Sequence, residues 1–282
     1  MDALSPAVFS ARRMPDRIHF RMVRCNRCGL VRSDPIAPPQ ILNHLYAQST
    51  FEYGEEADNL KRSYGRYLKK LEKYSLRKGA LLEIGCGNGF FLEEALRQKY
   101  GSITGVEPSV DAANRAGANI RPWIVCDIMR PGLFPENRFD TICMFQVLDH
   151  IPDPRLLLDE CMRVLRPGGL VLCINHNIDA VSAKILGERS PVVDIEHTYL
   201  YSPKTLPRLF SAAGFTVLET EPAWNTYSPL YLARLLPMPG PIKNGLLRLL
   251  RTWPFRSMRV TVPLGNICLI AGKSERNHAG VT

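Results

Sequence analysis

Three glycines at alternate positions, Gly85, Gly87 and Gly89, stand between the apolar run Ala80-Leu81-Leu82-Glu83-Ile84 and a segment, Phe90 to Tyr100, whose apolar residues Phe91, Leu92, Ala95 and Leu96 repeat with helical spacing. A short apolar run of this kind reads as a buried parallel strand. The turn that joins strand to helix bends sharply, leaves room for a ligand against the main chain, and aims free N–H groups at it from a helix N-terminus. It is a cofactor cradle. The spacing departs from the G-x-G-x-x-G of dinucleotide sites, and Glu83 lies two residues before the first glycine, which weakens a pyrophosphate reading. Ser102 to Glu107 is a second strand ending in an acid roughly 20 residues after the loop, where a carboxylate can accept from both hydroxyls of a ribose. Trp123 to Asp127 is a third apolar strand ending in an acid, able to accept from an adenine amino group. A nicotinamide domain does not require that second acid.

Candidate reacting groups lie farther along. Phe139 to Phe145 is a strongly apolar run, Asp153 to Leu165 a helix ended by Arg166-Pro167-Gly168-Gly169, and Leu170 to Ile174 a fifth strand. Ligands of such sheets bind beyond the carboxyl ends of the strands, which puts Gln146, Asp149, His150, Asn175 and His176 near the reacting centre. His150 either faces substrate or caps the next helix. Asp194, Glu196 and His197 fall in a long insertion, residues 177–201, of the kind that forms lids. An imidazole that titrates near neutrality, held by a carboxylate, can take a proton from a hydroxyl, so His197 is the candidate general base, with substrate hydrogen bonding or a structural role as alternatives. As metal ligands Asp194, Glu196 and His197 lack a supporting cluster. Cys25-Asn26-Arg27-Cys28-Gly29 is half of a zinc ribbon, but a tetrahedral site needs four ligands and the preceding 24 residues offer only His19. No metal is assigned, and zinc is not expected unless a partner chain completes the site.

The combination of Glu83, Gly85, Gly87 and Gly89 with Glu107, Asp127 and the run from Phe139 to Pro154 resembles the class I S-adenosylmethionine-dependent methyltransferases, over about residues 80–220. The resemblance implies an α/β fold, a Rossmann-like seven-stranded mostly parallel sheet of order 3-2-1-4-5-7-6 with helices on both faces. It implies that the three glycines cradle the methionine end of the cofactor, that Glu107 holds the ribose, and that Asp127 with the Ile128 backbone holds the adenine. Gln146 is then expected against the methionine portion, and His197, ahead of Tyr199-Leu200-Tyr201-Ser202-Pro203, at the substrate pocket. The activity implied is methyl transfer to a small-molecule acceptor, a hydroxyl or a sugar carbon, carried on a nucleotide- or lipid-linked intermediate. An NAD(P)-dependent oxidoreductase and a catalytically silent cofactor-binding or membrane-associated module are the alternatives.

The rest of the chain must position these groups. Its 282 residues suit one α/β domain with appendages: an N-terminal extension, 1–55, a catalytic domain, 56–276, with substrate-side insertions at 177–201 and 224–263, and a tail, 277–282. The spacing of Leu60, Tyr64, Tyr67, Leu68, Leu71 and Tyr74 predicts a helix with an aromatic core stripe and a solvated basic face. Cys126, Cys143, Cys173, Cys268 and Cys161 read as small hydrophobes. With no apolar run of about 18 residues and no leader behind Arg12, Arg13, Arg17 and Arg21, a soluble cytoplasmic protein is expected. Net charge is +9, but residues 81–200 carry 11 Lys/Arg against 16 Asp/Glu, so the flanks are basic. That suits an anionic small molecule or an anionic membrane; without a recognisable module, nucleic acid is not expected. The basic 230–260 stretch reads as a helical cover or a membrane-surface contact, and Pro237, Pro239 and Pro241 favour the cover.

Overall fold

The computed structural model describes residues 18–49, 56–74, 77–236, 238–252 and 254–275. The arginines at 12, 13 and 17, Pro237 and the tail from 277 lie outside the described residues.

Seven strands form the central sheet: β1 (Ala80–Ile84), β2 (Ser102–Val106), β3 (Ile124–Val125), β4 (Phe139–Phe145), β5 (Leu165–His176), β6 (Thr216–Pro222) and β7 (Asn266–Gly272). Their order is β3-β2-β1-β4-β5-β7-β6. The pairs from β3 through β5 are parallel, while β7 runs antiparallel to both β5 and β6. All seven residues of β4 are buried, as expected of a strand covered on both faces. Asp140 is tolerated within it because Ala80 N donates to its carboxylate at 2.7 Å and Arg166 Nη1 at 2.6 Å.

Alternation along the strands sends Leu81, Cys143 and Leu172 to one face and Leu82, Ile142 and Val171 to the other. On the first face the sheet packs under the helices Ala57–Lys70 and Phe90–Arg97, with Tyr64 stacked on Phe145 at 4.0 Å between ring centroids. On the second, Leu157, Leu158 and Cys161 of the helix Pro154–Val164 and Phe210 of the helix Thr205–Ala212 complete the core. The two upper helices touch closely at Gly65, where a Cβ would stand 2.6 Å from Glu94 Oε1. Tyr64 and Tyr67 form the buried stripe, Arg62 is exposed, and Arg66 donates to Trp224 O at 2.8 Å, tying this helix to the later insertion.

Strand ends differ from their expected limits. β3 keeps only two residues, since Trp123 belongs to a tight turn over Arg121–Trp123 and Cys126 is exposed and not part of the core. β5 begins at Leu165, running through the Arg-Pro-Gly-Gly stretch, because Leu165 pairs with Phe139 before the register shifts.

Three pieces stand outside the sheet. The hairpin Arg21–Arg24 with Val31–Asp34 pairs with Tyr199–Leu200 of the 177–201 insertion, so the N-terminal segment and that insertion share a small sheet. The helix Pro39–Ala47 buries Leu42 and Leu45. The 224–263 insertion is closed by a ladder between Asn225–Tyr227 and Val260–Val262 and carries the helices Pro229–Leu235 and Gly240–Leu250. Among the described residues no helix is long and apolar enough to cross a membrane.

Candidate active site

A cavity of about 870 Å³ lies at the carboxyl ends of β1, β2, β4 and β5 and is closed over by all three outer pieces. That volume suits a cofactor and a small acceptor together.

One end is built by the strand ends. Gly85, Gly87 and Gly89 have φ of 71°, 56° and 73°, a backbone that only glycine adopts freely. A Cβ at Gly85 would meet Val147 Cγ2 at 2.5 Å, and one at Gly89 would meet Ile120 Cγ2 at 2.5 Å. Gly85 and Gly87 line the cavity, whereas Gly89 opens the helix Phe90–Arg97 behind it. Glu83 is buried under the loop and does not line the cavity; its Oε2 has no hydrogen-bond partner. Burial, and then the Glu107 charge, push its pKa well above the usual carboxylate range. Glu107 lines the cavity and accepts from Gly87 N at 2.8 Å and Ser109 N at 2.9 Å. Burial raises its pKa, and those two donors oppose the rise. Asp127 and Ile128 form the rim, with Ile128 N donating to Asp127 Oδ1 at 2.7 Å and Arg130 2.9 Å from Oδ2. That arginine foremost holds Asp127 below the usual carboxylate range. Gln146, at φ 56°, lines the floor with its Nε2 3.4 Å from Asn266 Oδ1. A glycine cradle with an acid at each of the next two strand ends fits a nucleoside bearing an amino-acid tail.

The other end gathers residues distant in sequence. Asp149 is fully buried behind the lining residues His150, His176 and His197. Its Oδ2 accepts from His176 Nδ1, and Thr198 N donates to its carbonyl at 2.8 Å. Burial would raise the Asp149 pKa, but His176 and then His150 hold it below the usual carboxylate range. His197 Nδ1 stands 2.7 Å from Val192 O and its Nε2 4.0 Å from Asp149 Oδ2. Burial lowers the His197 pKa, with His176 adding to the effect. His150 Nδ1 is 2.8 Å from the Tyr46 hydroxyl, and burial drives this imidazole down to about 4 against the pull of Asp149. Helix capping is not the role of His150, because Asp153 accepts from Leu156 N at 3.0 Å and does the capping.

Asp194 and Glu196 are the carboxylates nearest His197 in sequence. Asp194 accepts from the backbone of Glu196 and His197, and the carboxylate facing the ring is Asp149. Among the described residues the one group of three metal-type ligands within reach of each other is Asp149, His176 and His197. Cys25 and Cys28 are exposed free thiols at the hairpin turn, and His19 Nδ1 is engaged with Phe20 O at 2.8 Å. Tyr46 was not foreseen as a site residue: it reaches His150 across 104 positions of sequence.

A family model described as a methyltransferase domain matches residues 56–220. The chain is 26% identical over 163 residues to a ubiquinone biosynthesis O-methyltransferase of Psychrobacter arcticus, covering 52% of this chain and 63% of that one. It is 32% identical over 165 residues to an enzyme of the same name from Coxiella burnetii, covering 54% and 70%. The match therefore spans under two thirds of the first relative's length. In fold it is similar to a chain from the complex between the Haloferax volcanii Trm112 methyltransferase activator and a methyltransferase, at a TM-score of 0.55, 17% identity, and coverage of 83% and 98%. With more than half of its length matched by the family model and its strand-end acids set around a glycine cradle, the chain belongs to the S-adenosylmethionine-dependent methyltransferases.

Proposed function

We propose that this protein moves the methyl group of S-adenosylmethionine to a hydroxyl oxygen of a small, largely apolar acceptor. The observation that carries the reading is a single cavity with the cradle at one end and the Asp149 cluster at the other. Gly85, Gly87 and Gln146 would receive the methionine end, Glu107 the ribose, and Asp127 with Ile128 the adenine, while Glu83 supports the loop from below. A sulfonium methyl is already activated, so the chain's main task is to hold the acceptor in line with the S–CH₃ bond and keep water out, which contributes up to about 7–11 kcal/mol in favourable cases. Oxygen as the acceptor atom is favoured by the histidine cluster, because a hydroxyl has a proton to lose and His150, His176 and His197 are at hand. Leu42, Ile151, Leu186, Val192, Tyr231 and Leu235 line the acceptor end, which favours an apolar molecule over a nucleotide-linked sugar. The named O-methyltransferases among its relatives agree with that choice. The test is titration calorimetry with S-adenosylmethionine and with NADH, followed by S-adenosylhomocysteine release across hydroxylated aromatic and lipid acceptors. Heat with NADH alone would overturn the reading.

A peripheral membrane contact is proposed for the 230–260 segment. The helix Gly240–Leu250 has no buried residue, Ile242 and Leu249 are exposed, and so are Arg248, Arg251, Arg256 and Arg259 of the same segment. It follows Leu235 and Leu236 of the cavity wall, a path suited to a lipid-borne acceptor. Co-sedimentation with anionic but not neutral vesicles checks it.

A further inference from the structure

The ligand-type side chains at the acceptor end converge in a way that proton transfer alone leaves unexplained. Val192 O can only accept, so His197 carries a proton on Nδ1, which leaves Nε2 as the nitrogen turned toward Asp149. Asp149 Oδ2, which accepts from His176 Nδ1, stands 4.0 Å from that nitrogen. The other carboxylate oxygen, Oδ1, is buried without a hydrogen-bond partner; His150 Nε2 stands 3.6 Å from it, too far to donate. One donor atom each from Asp149, His176 and His197 lies within 4.8 Å of the other two. A buried carboxylate oxygen without a partner is costly unless something positive reaches it. A histidine whose far nitrogen donates to a backbone carbonyl is the usual arrangement of a metal ligand.

We propose that Asp149, His176 and His197 hold a divalent transition-metal ion of the zinc or ferrous type, and that this ion takes the acceptor's hydroxyl oxygen. Two imidazoles and one carboxylate select such an ion over magnesium, which prefers oxygen ligands. To bind it His176 gives up its Nδ1 proton. Two of the three ligands line the cavity, so the remaining coordination positions are open to the acceptor. The ion lowers the hydroxyl pKa and the proton leaves to water. An oxygen electron pair then forms the O–CH₃ bond as the S–CH₃ bond breaks, and the sulfur keeps the bonding pair and becomes a neutral thioether. The inference rests on methyl transfer to oxygen, and its test is separable from that reading.

The experiment titrates cobalt(II) into metal-stripped full-length protein carrying Cys25→Ser and Cys28→Ser, and reads the visible d–d bands. One cobalt per chain is expected, with the bands lost in His197→Ala and in His176→Ala, and zinc competing the cobalt out. The wild-type titration stands without the variants should either fail to fold. Absence of the bands in protein that still binds S-adenosylmethionine would overturn the metal site alone. Cobalt bound by protein that does not bind S-adenosylmethionine would instead overturn the methyl-transfer reading. Cobalt bound by wild type but not by the double serine variant would assign it to the hairpin thiols and also overturn the site.

Discussion

The end of the cavity proposed for the cofactor is made by the ends of neighbouring parallel strands, each delivering one group a residue or two past its last paired position: Gly85 after β1, Glu107 after β2, Asp127 after β3 and Gln146 after β4. At the acceptor end, by contrast, His176 comes from β5, Asp149 and His150 from the turn after β4, His197 from an insertion, and Tyr46 from the N-terminal segment. The first end is held by the sheet itself and keeps its shape through backbone hydrogen bonding. The second depends on contacts between separately folded pieces, above all the pairing of Val31 and Arg32 with Leu200 and Tyr199 and the bond from Ser33 N to Thr198 O at 2.9 Å. On the proposed reading the cofactor meets the end held by the sheet, and the acceptor meets the assembled one.

If the two ends are separate machines, substitutions should divide between binding and turnover. The largest effect is expected of Gly87→Arg, which puts a long side chain into the cavity and onto a left-handed backbone that alone costs about 1–3 kcal/mol. Calorimetry should show no S-adenosylmethionine binding while circular dichroism is unchanged; retained binding would move the cofactor elsewhere. His197→Ala should lower turnover on the order of 10²–10⁴-fold with cofactor affinity unchanged. A parallel fall in affinity would erase the division between the ends. Glu107→Gln is expected to weaken cofactor binding by about 1.5–3 kcal/mol, roughly 10- to 150-fold, through loss of a charged acceptor. Its turnover at saturating cofactor should match wild type. Tyr46→Phe removes the hydroxyl beside His150 and should lower turnover by about 0.5–1.5 kcal/mol, roughly 2- to 13-fold, again without change in cofactor affinity. Asp127→Asn is expected to be mildest, because Asp127 sits at the rim in an ion pair with Arg130 and such pairs contribute about 0–1 kcal/mol. A shift of more than about fivefold in the cofactor dissociation constant would mean that the rim is drier in the complex than in the free protein.

Legibility in the sequence follows the same divide. Apolar runs alternating with helical repeats specify strand–helix units, and the glycine spacing marks the turn that faces the ligand, so Gly85, Gly87, Glu107, Asp127 and Gln146 were all readable before any fold was known. His197 was readable as an imidazole in a lid-length insertion, but the carboxylate that faces it, Asp149, was not. Nearness in sequence is a poor guide there, because a short turn spends nearby carboxylates on its own backbone N–H groups. Residues 224–263 were readable as a cover, but the ladder of Asn225–Tyr227 with Val260–Val262 that closes it was not.

By itself, the amino-acid sequence determined the sheet, the cradle and the acids that follow it, since strand periodicity and glycine conformation are local and repeat within a few residues. Only the tertiary structure decided that Asp149, His176 and His197 meet, that Tyr46 stands against His150, and that the hairpin bearing Cys25 and Cys28 joins the 177–201 insertion. Those contacts join residues tens to more than a hundred positions apart, and they exist because burying Val31, Val192, Val193 and Leu200 together draws the outer pieces over the strand ends.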